Sequence, residues 1–207
     1  NIIIERTTMM QKKKLKLLLA SLAASTILFS VPLSVAATSA DDPTSSIPQE
    51  NRYDVGTIDK ALTIQDCGTC KGHLITQSPG TTAKTIKISE GTHTIYLDGT
   101  ISINGQDNAP PIEIGSVTTG NTKANVTLRL YNNANVTLDN RAISNGAGLH
   151  VNNGSTLTIA GSGSLTAYGA KGGAGIGGHS EVSGNISIIG DPDNCPSIFA
   201  QGGEGAA

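Results

Sequence analysis

The chain has 207 residues, a formal net charge of -2, 25 glycines, no Trp and an aromatic content of 3%. That length holds one domain of ordinary size, and the near-neutral balance supplies no basic field for nucleic acid. Outside the start of the chain no Lys-rich cluster offers a patch for a membrane surface.

Residues 1–40 read as upstream residues plus a secretory signal peptide. Residues 1–8 precede Met9-Met10; a basic run, Lys12-Lys13-Lys14-Leu15-Lys16, leads into an apolar stretch from Leu17 to Val31. Ser34-Val35-Ala36-Ala37 then offers A-x-A-like cleavage, placing the cut near Ala36 to Ala40. The apolar run falls short of the about 20 residues that span a bilayer, so no stable membrane insertion is expected of the mature form. No Cys follows it directly, which argues against a lipid-anchored precursor. The predicted location is secreted or cell wall/cell surface.

Residues 41–50, DDPTSSIPQE, are polar and Pro-interrupted and read as a linker. Residues 51–83 read as an irregular entry region containing a C-x-x-C. Beyond it no window carries the 3.6-residue period of a helix, and apolar residues alternate, as in Thr85-Ile86-Lys87-Ile88. Thr94-Ile95-Tyr96-Leu97 breaks that alternation and reads as a strand buried on both faces. Further short strands rich in Thr, Val, Ile and Leu are predicted at 101–103, 125–130, 135–138, 156–159, 164–167, 185–188 and 197–200, each bounded by Gly, Asn, Asp or Pro.

The strands recur. Ala147-Gly148-Leu149 matches Ala174-Gly175-Ile176 at a sequence offset of 27, Leu157-Thr158-Ile159 matches Ile186-Ser187-Ile188 at 29, and Ser164-Leu165-Thr166-Ala167 matches Ser197-Ile198-Phe199-Ala200 at 33. Units of this length, with two or three strands and no helix, cannot bury a core alone and must stack. The predicted fold is all-β: a right-handed parallel β-helix, a solenoid of pectate-lyase-like architecture, over 84–207. A chain stopping at Gly203-Glu204-Gly205-Ala206-Ala207, inside a Gly-rich segment, is expected to be truncated at the C-terminus.

Gly172 to Gly178 spell GGAGIGG, which satisfies G-x-G-x-x-G, with Asp193 about 20 residues beyond where a ribose-binding acid is expected. A dinucleotide turn needs a helix after the glycines; the chain runs instead through His179-Ser180-Glu181-Val182-Ser183-Gly184 into the next strand. No cofactor is therefore expected. Calcium-binding nonapeptides need G-G-x-G-x-D, and Gly177 stands where the Asp belongs. A P-loop needs Gly-Lys-Ser or Gly-Lys-Thr, and Lys171 is followed by Gly172. The glycines are expected at a corner where coils turn sharply and approach closely, with Ala174 and Ile176 pointing inward between them.

With THTIYLDGTISI, NVTLRLYNNANVTL and AGLHVNNGSTLTIAGSGSLTA, this motif makes the chain resemble the Gly-rich β-helical surface proteins of Gram-positive bacteria, including those described as carbohydrate-binding-domain-containing. The resemblance covers roughly residue 64 to the end. It implies export and surface display, and it brings no catalytic residues.

Cys67-Gly68-Thr69-Cys70, with His73 three positions on, is the sharpest chemical motif. In an exported chain the expectation is a small disulfide pinning the entry of the fold; a metal centre and a reduced or redox-active pair are the alternatives. Haem attachment would need His where Lys71 stands. Zinc would want a fourth ligand, and His93 and Cys195 are remote in sequence, so no metal is assigned. Cys195 is left unpaired. His150 and His179, offset by 29, are close to one coil apart and could form a ladder; solvated turn positions are preferred for them and for His93, since no metal spacing accompanies them.

Asp98, Asp107, Glu113, Arg129, Asp139 and Arg141 could serve acid-base chemistry, but no paired-carboxylate motif brings two onto one face, and no catalytic residue is assigned. Tyr96, Tyr131 and Tyr168 recur at near-coil spacing and are candidate glycan-facing residues; ordinary wall positions are the competing reading. The sequons at Asn125, Asn135, Asn153 and Asn185 read as turn and strand residues. Together these observations predict an exported, non-catalytic, adhesin-like structural and interaction protein meeting extracellular glycans or a host or matrix surface. A carbohydrate-binding module is the alternative, and a polysaccharide lyase or hydrolase the second.

Overall fold

A computed structural model describes residues 42–115, 123–179, 182–190 and 194–205. The signal-peptide reading of residues 1–40 lies outside them. Thirteen strands follow in order: β1 (Arg52–Asp54), β2 (Leu62–Ile64), β3 (His73–Thr76), β4 (Ile86–Ile88), β5 (Gly91–Asn104), β6 (Ile112–Ile114), β7 (Ala124–Asp139), β8 (Leu149–Val151), β9 (Thr156–Gly161), β10 (Ser164–Tyr168), β11 (Ile176–Gly177), β12 (Asn185–Ile188) and β13 (Ser197–Gln201). Every strand pairing is parallel, and among the described residues the sole helix is a 3-10 turn at Gln49–Asn51. The chain is a parallel β-solenoid.

Each full coil lays down three faces. The first stacks β1, β3, the first half of β5, the first half of β7, β9 and β12; the second stacks the other halves of β5 and β7 with β10 and β13; the third stacks β2, β4, β6, β8 and β11. Stacking keeps like residues about 4.8 Å apart. Alternation along each strand sends every second side chain into one shared core. His73, Ile95, Leu128, Ile159 and Ile188 form one inward row on the first face. Ile101, Val136, Leu165 and Ile198 form another on the second, and Leu62, Ile86, Ile112, Leu149 and Ile176 a third. Most of the apolar side chains in these rows are fully buried in one continuous cluster. In the last rung Ile186 and Ile188 keep the register of Leu157 and Ile159 but stand 38% and 54% exposed, having no described strand beyond them.

The turn from the first face to the second is made in two ways. Asn132 and Asn133 adopt φ of 49° and 56° in one coil, a left-handed conformation that Asn tolerates better than most residues. One coil later Gly161 (φ 105°) makes the turn, and a Cβ there would lie 2.3 Å from the Leu130 carbonyl oxygen.

The GGAGIGG glycines divide by cause. Gly172 and Gly177 have positive φ, 74° and 141°. Gly173 and Gly175 are there for close approach: a Cβ would meet the Gly146 carbonyl oxygen at 2.1 Å and the Gln201 backbone nitrogen at 2.4 Å. Ile176 packs against the core as expected, in register with Leu149.

Two boundaries differ from the sequence reading. The solenoid starts at Arg52 rather than Lys84, because β1, β2 and β3 pair in register with the strands above them. The segment read as a linker packs as an arm on the outside of the first face: Ile47 is 3% exposed and clusters with Leu74 and Tyr96, with Tyr131 at the rim. The Arg52 guanidinium donates to the carbonyls of Thr44 and Ile47, and the Tyr131 hydroxyl donates to Asp42 Oδ1 at 2.6 Å.

Candidate functional sites

Outward positions of the first two faces carry small polar residues in rows. Thr92, Asn125, Thr156 and Asn185 form one, Thr94, Thr127, Thr158 and Ser187 the next, and Thr100, Asn135, Ser164 and Ser197 a third. Neighbouring rungs hydrogen-bond along them. Thr156 Oγ1 donates to Asn125 Oδ1 at 2.7 Å, and Ser164 Oγ to Asn135 Oδ1 at 3.0 Å. These two sequon asparagines are strand residues, Asn185 opens β12, and Asn153 lies in the turn after β8.

The three tyrosines do not line one face. Tyr96 and Tyr131 stand on the first, edge to face with ring centroids 6.0 Å apart, while Tyr168 stands on the second opposite Asp139. Tyr96 is only 8% exposed because the arm covers it. The hydrogen bond from Tyr131 holds the Asp42 carboxyl below the ordinary carboxylate range and pushes the Tyr131 phenol above its own. Between arm and last rung runs a groove of about 540 Å³ lined by Tyr96, Arg129, Tyr131, Asn133, Ala160 and Ile189.

A second aromatic patch lies on the other face. The Arg141 guanidinium sits 4.0 Å from the Tyr168 ring centroid, within cation–π range. Tyr168 in turn meets the exposed Phe199 ring, with centroids 5.9 Å apart. Asp139 pairs with Arg141, and that bond lowers the Asp139 carboxyl from its ordinary value. A hollow of about 280 Å³ adjoins, lined by Arg141, Tyr168, Lys171 and Glu204 among others.

Of the remaining acids, Asp98 adds to the negative charge that, with Asp42, raises the Tyr131 phenol, and Asp107 and Glu113 stand apart. Asp98 ends the first face, Asp107 sits in a tight turn with φ 52°, and Glu113 faces out from β6, 3.7 Å from Lys87. A shared acid-base site needs two such groups within reach of one bond, and these stand on different faces or corners.

The histidines are sorted by register. His93 is an inward residue, 3% exposed and in row with Val126, so it is no solvated turn position. Its Nε2 lies 2.8 Å from the Glu90 carbonyl oxygen. His150 lies opposite Gly177 rather than His179, because this step of the third face spans 27 residues and not 29. The ladder does not form.

Cys67 and Cys70 are joined in a disulfide, with Cα atoms 5.6 Å apart, in the loop between β2 and β3. His73 follows as the first residue of β3, 2% exposed, with Nε2 3.5 Å from Cys70 Sγ. Its ring lies between those of Tyr53 (6.0 Å) and His93 (5.8 Å). Burial, reinforced by His93, lowers the His73 pKa and favours the neutral imidazole. Cys195 is free and exposed. The chain matches no protein-family model, no curated protein and no solved structure.

Proposed function

We propose that this chain is an exported, surface-displayed interaction scaffold, adhesin-like and non-catalytic, whose outer faces hold an extended partner. The observation that carries this reading is the set of in-register polar rows, Thr94-Thr127-Thr158-Ser187 and its neighbours. A row of similar groups repeating about every 4.8 Å meets a linear polymer with one weak contact per rung, and such contacts multiply when they engage together. The dispersal of Asp98, Asp107, Glu113 and Asp139 supports a surface that binds over one that cleaves.

Glycan recognition is the second reading, favoured by the Arg141, Tyr168 and Phe199 patch. Sugar faces stack on aromatic rings, and a guanidinium donates in a rigid fork to hydroxyl or carboxylate oxygens. Incubation with plant, host-mucin and bacterial polysaccharides separates the readings. The scaffold predicts retention on an extended polymer without cleavage, weakened when Thr127 and Thr158 are both replaced by alanine. Retention lost instead on Tyr168→Ala or Phe199→Ala promotes the glycan module. Reproducible new chain ends that vanish on Asp98→Asn, Arg129→Ala, Asp139→Asn or Arg141→Ala overturn both in favour of an enzyme.

A further inference from the structure

We infer that Cys67, Cys70 and His73 form a second, independent site: a redox-gated centre that is a disulfide when oxidised and a two-sulfur, one-nitrogen site for a borderline-soft divalent cation such as zinc when reduced. The Sγ atoms and the imidazole nitrogen lie within 4.8 Å of one another. A tetrahedral zinc with Zn–S of about 2.3 Å and Zn–N of about 2.0 Å sets a sulfur-to-nitrogen separation of about 3.5 Å. The Cys70 Sγ to His73 Nε2 distance is 3.5 Å. One edge of the coordination polyhedron therefore already has its final length, and a shift of the exposed Cys67 Sγ away from Cys70 Sγ sets the other two.

The position of His73 is the independent observation. Its row on the first face is otherwise Ile95, Leu128, Ile159 and Ile188, an apolar column in which an imidazole has to be accounted for. Burying a polar ring is unfavourable unless it finds partners; the Nε2 of His73 meets only a sulfur, while its Nδ1, like that of His93, has no hydrogen-bond partner. His93 does not compete for the same role, since its Nε2 is taken up by the Glu90 carbonyl. Thus the buried side of the site is fixed by the sheet, and its open side is Cys67, which is exposed. An exposed flank leaves room for water as the fourth ligand, the arrangement of zinc sites that keep an open position.

As a purely structural clamp the disulfide is weak, because a sequence separation of 3 closes almost no loop. An exposed disulfide is also the kind that thiols reach. The gating step balances: two molecules of a small thiol reduce the disulfide, giving two cysteine thiols and one small-molecule disulfide. The cation then displaces the two thiol protons and binds the thiolates and the neutral imidazole.

The test uses the full chain carrying Cys195→Ser, which removes the other thiol. After reduction and removal of the reductant, Co²⁺ is titrated as the optical probe, and zinc is then added to displace it. The expected result is one equivalent bound with thiolate charge-transfer absorption, none bound by the oxidised chain, and binding at least tenfold weaker with Cys67→Ser, whose exposed position leaves the core intact. His73→Leu, which restores an apolar residue to the row, weakens binding at least tenfold while the circular dichroism stays that of a β-protein. If that variant does not fold, the ligand-field bands of the Co²⁺ adduct still distinguish a four-coordinate site with two sulfurs and one imidazole nitrogen from a sulfur-only one. A reduced chain that takes up no Co²⁺, or one whose binding survives His73→Leu unchanged, overturns the proposal.

Discussion

Gly148 and Gly172 separate two reasons for glycine, and the pair gives a quantitative test of the stacking. An alanine Cβ at Gly148 would lie 2.7 Å from the Tyr168 carbonyl oxygen, 2.8 Å from that of Gly175 and 2.9 Å from the Tyr168 nitrogen. All three are backbone atoms, of the last residue of β10 and of the residue just before β11, so no side chain can swing aside. Relief requires the rungs to part by several tenths of an ångström, and overpacking of this kind costs about 3 kcal/mol. Gly172 has φ 74° and nothing within 4 Å of where its Cβ would stand, so alanine there meets conformational strain alone. That is about 1 kcal/mol. At roughly 2–4 °C per kcal/mol for a chain of this size, Gly148→Ala should lower Tm by about 6–12 °C and Gly172→Ala by about 2–4 °C. Thermal melts followed at the β-sheet circular dichroism band measure both. Equal shifts, or a larger shift for Gly172→Ala, would refute the close-approach explanation of the Ala-Gly-Leu and Ala-Gly-Ile repeats.

Core depth should grade in the same way: Leu128→Ala, at a fully buried position, costs about 2–5 kcal/mol, whereas Ile188→Ala, 54% exposed in the same row, stays within about 0.5 kcal/mol; urea midpoints compare them, and similar losses would contradict the rung order. The arm is held by Asp42, whose pKa is lowered chiefly by its bond from Tyr131. A depressed folded pKa means stability present above the unfolded value of about 3.9 and lost as pH falls through the folded one. Amide exchange at 44–51, corrected for intrinsic rate, should therefore accelerate below about pH 4 and respond to Tyr131→Phe already at neutral pH; protection that is flat across this range would remove the latch. Alkylation of the untreated, unfolded chain should add one group, at Cys195, and alkylation after reduction should add three, since the chain has three cysteines. Three adducts without reduction would mean the disulfide does not form.

The later coils are legible in the sequence because alternation and repetition agree there. Leu157 and Ile186 match at an offset of 29, and they are register partners; Ser164 and Ser197, which match at 33, are partners too. The first coils are not legible. Arg52 to Leu74 and His73 to Ile95 are offsets of 22, outside the 27 to 33 found downstream, and strands of three or four residues are too short to show a period. Side-chain surroundings are hidden for a different reason. Thr94-Ile95-Tyr96-Leu97 already reads as buried on both faces, but what covers Tyr96 is Ile47, far earlier in the chain, which no local pattern announces. Spacing alone groups Tyr168 with Tyr131, but the corner at Gly161 and Gly163 lies between them and turns the chain onto another face. A single coil length likewise pairs His150 with His179, when their own face runs on another.

The spacing between register partners varies along the solenoid, from 22 (Arg52 to Leu74) through 26 (Ile88 to Ile114) to 37 (Ile114 to Val151) and back to 27 (Leu149 to Ile176). Part of that variation falls where the second face passes to the third: Ala83 stands three positions before Ile86, Ile103 nine before Ile112, and Leu138 eleven before Leu149. The inward rows continue unbroken across these changes, so this edge absorbs chain without disturbing the phase of the stack. Because closing a longer loop costs entropy only logarithmically, the edge is a natural grafting point. Peptides inserted at the Asp107-Asn108 turn, where both residues already hold positive φ, would be displayed beside the rows without re-registering a single strand.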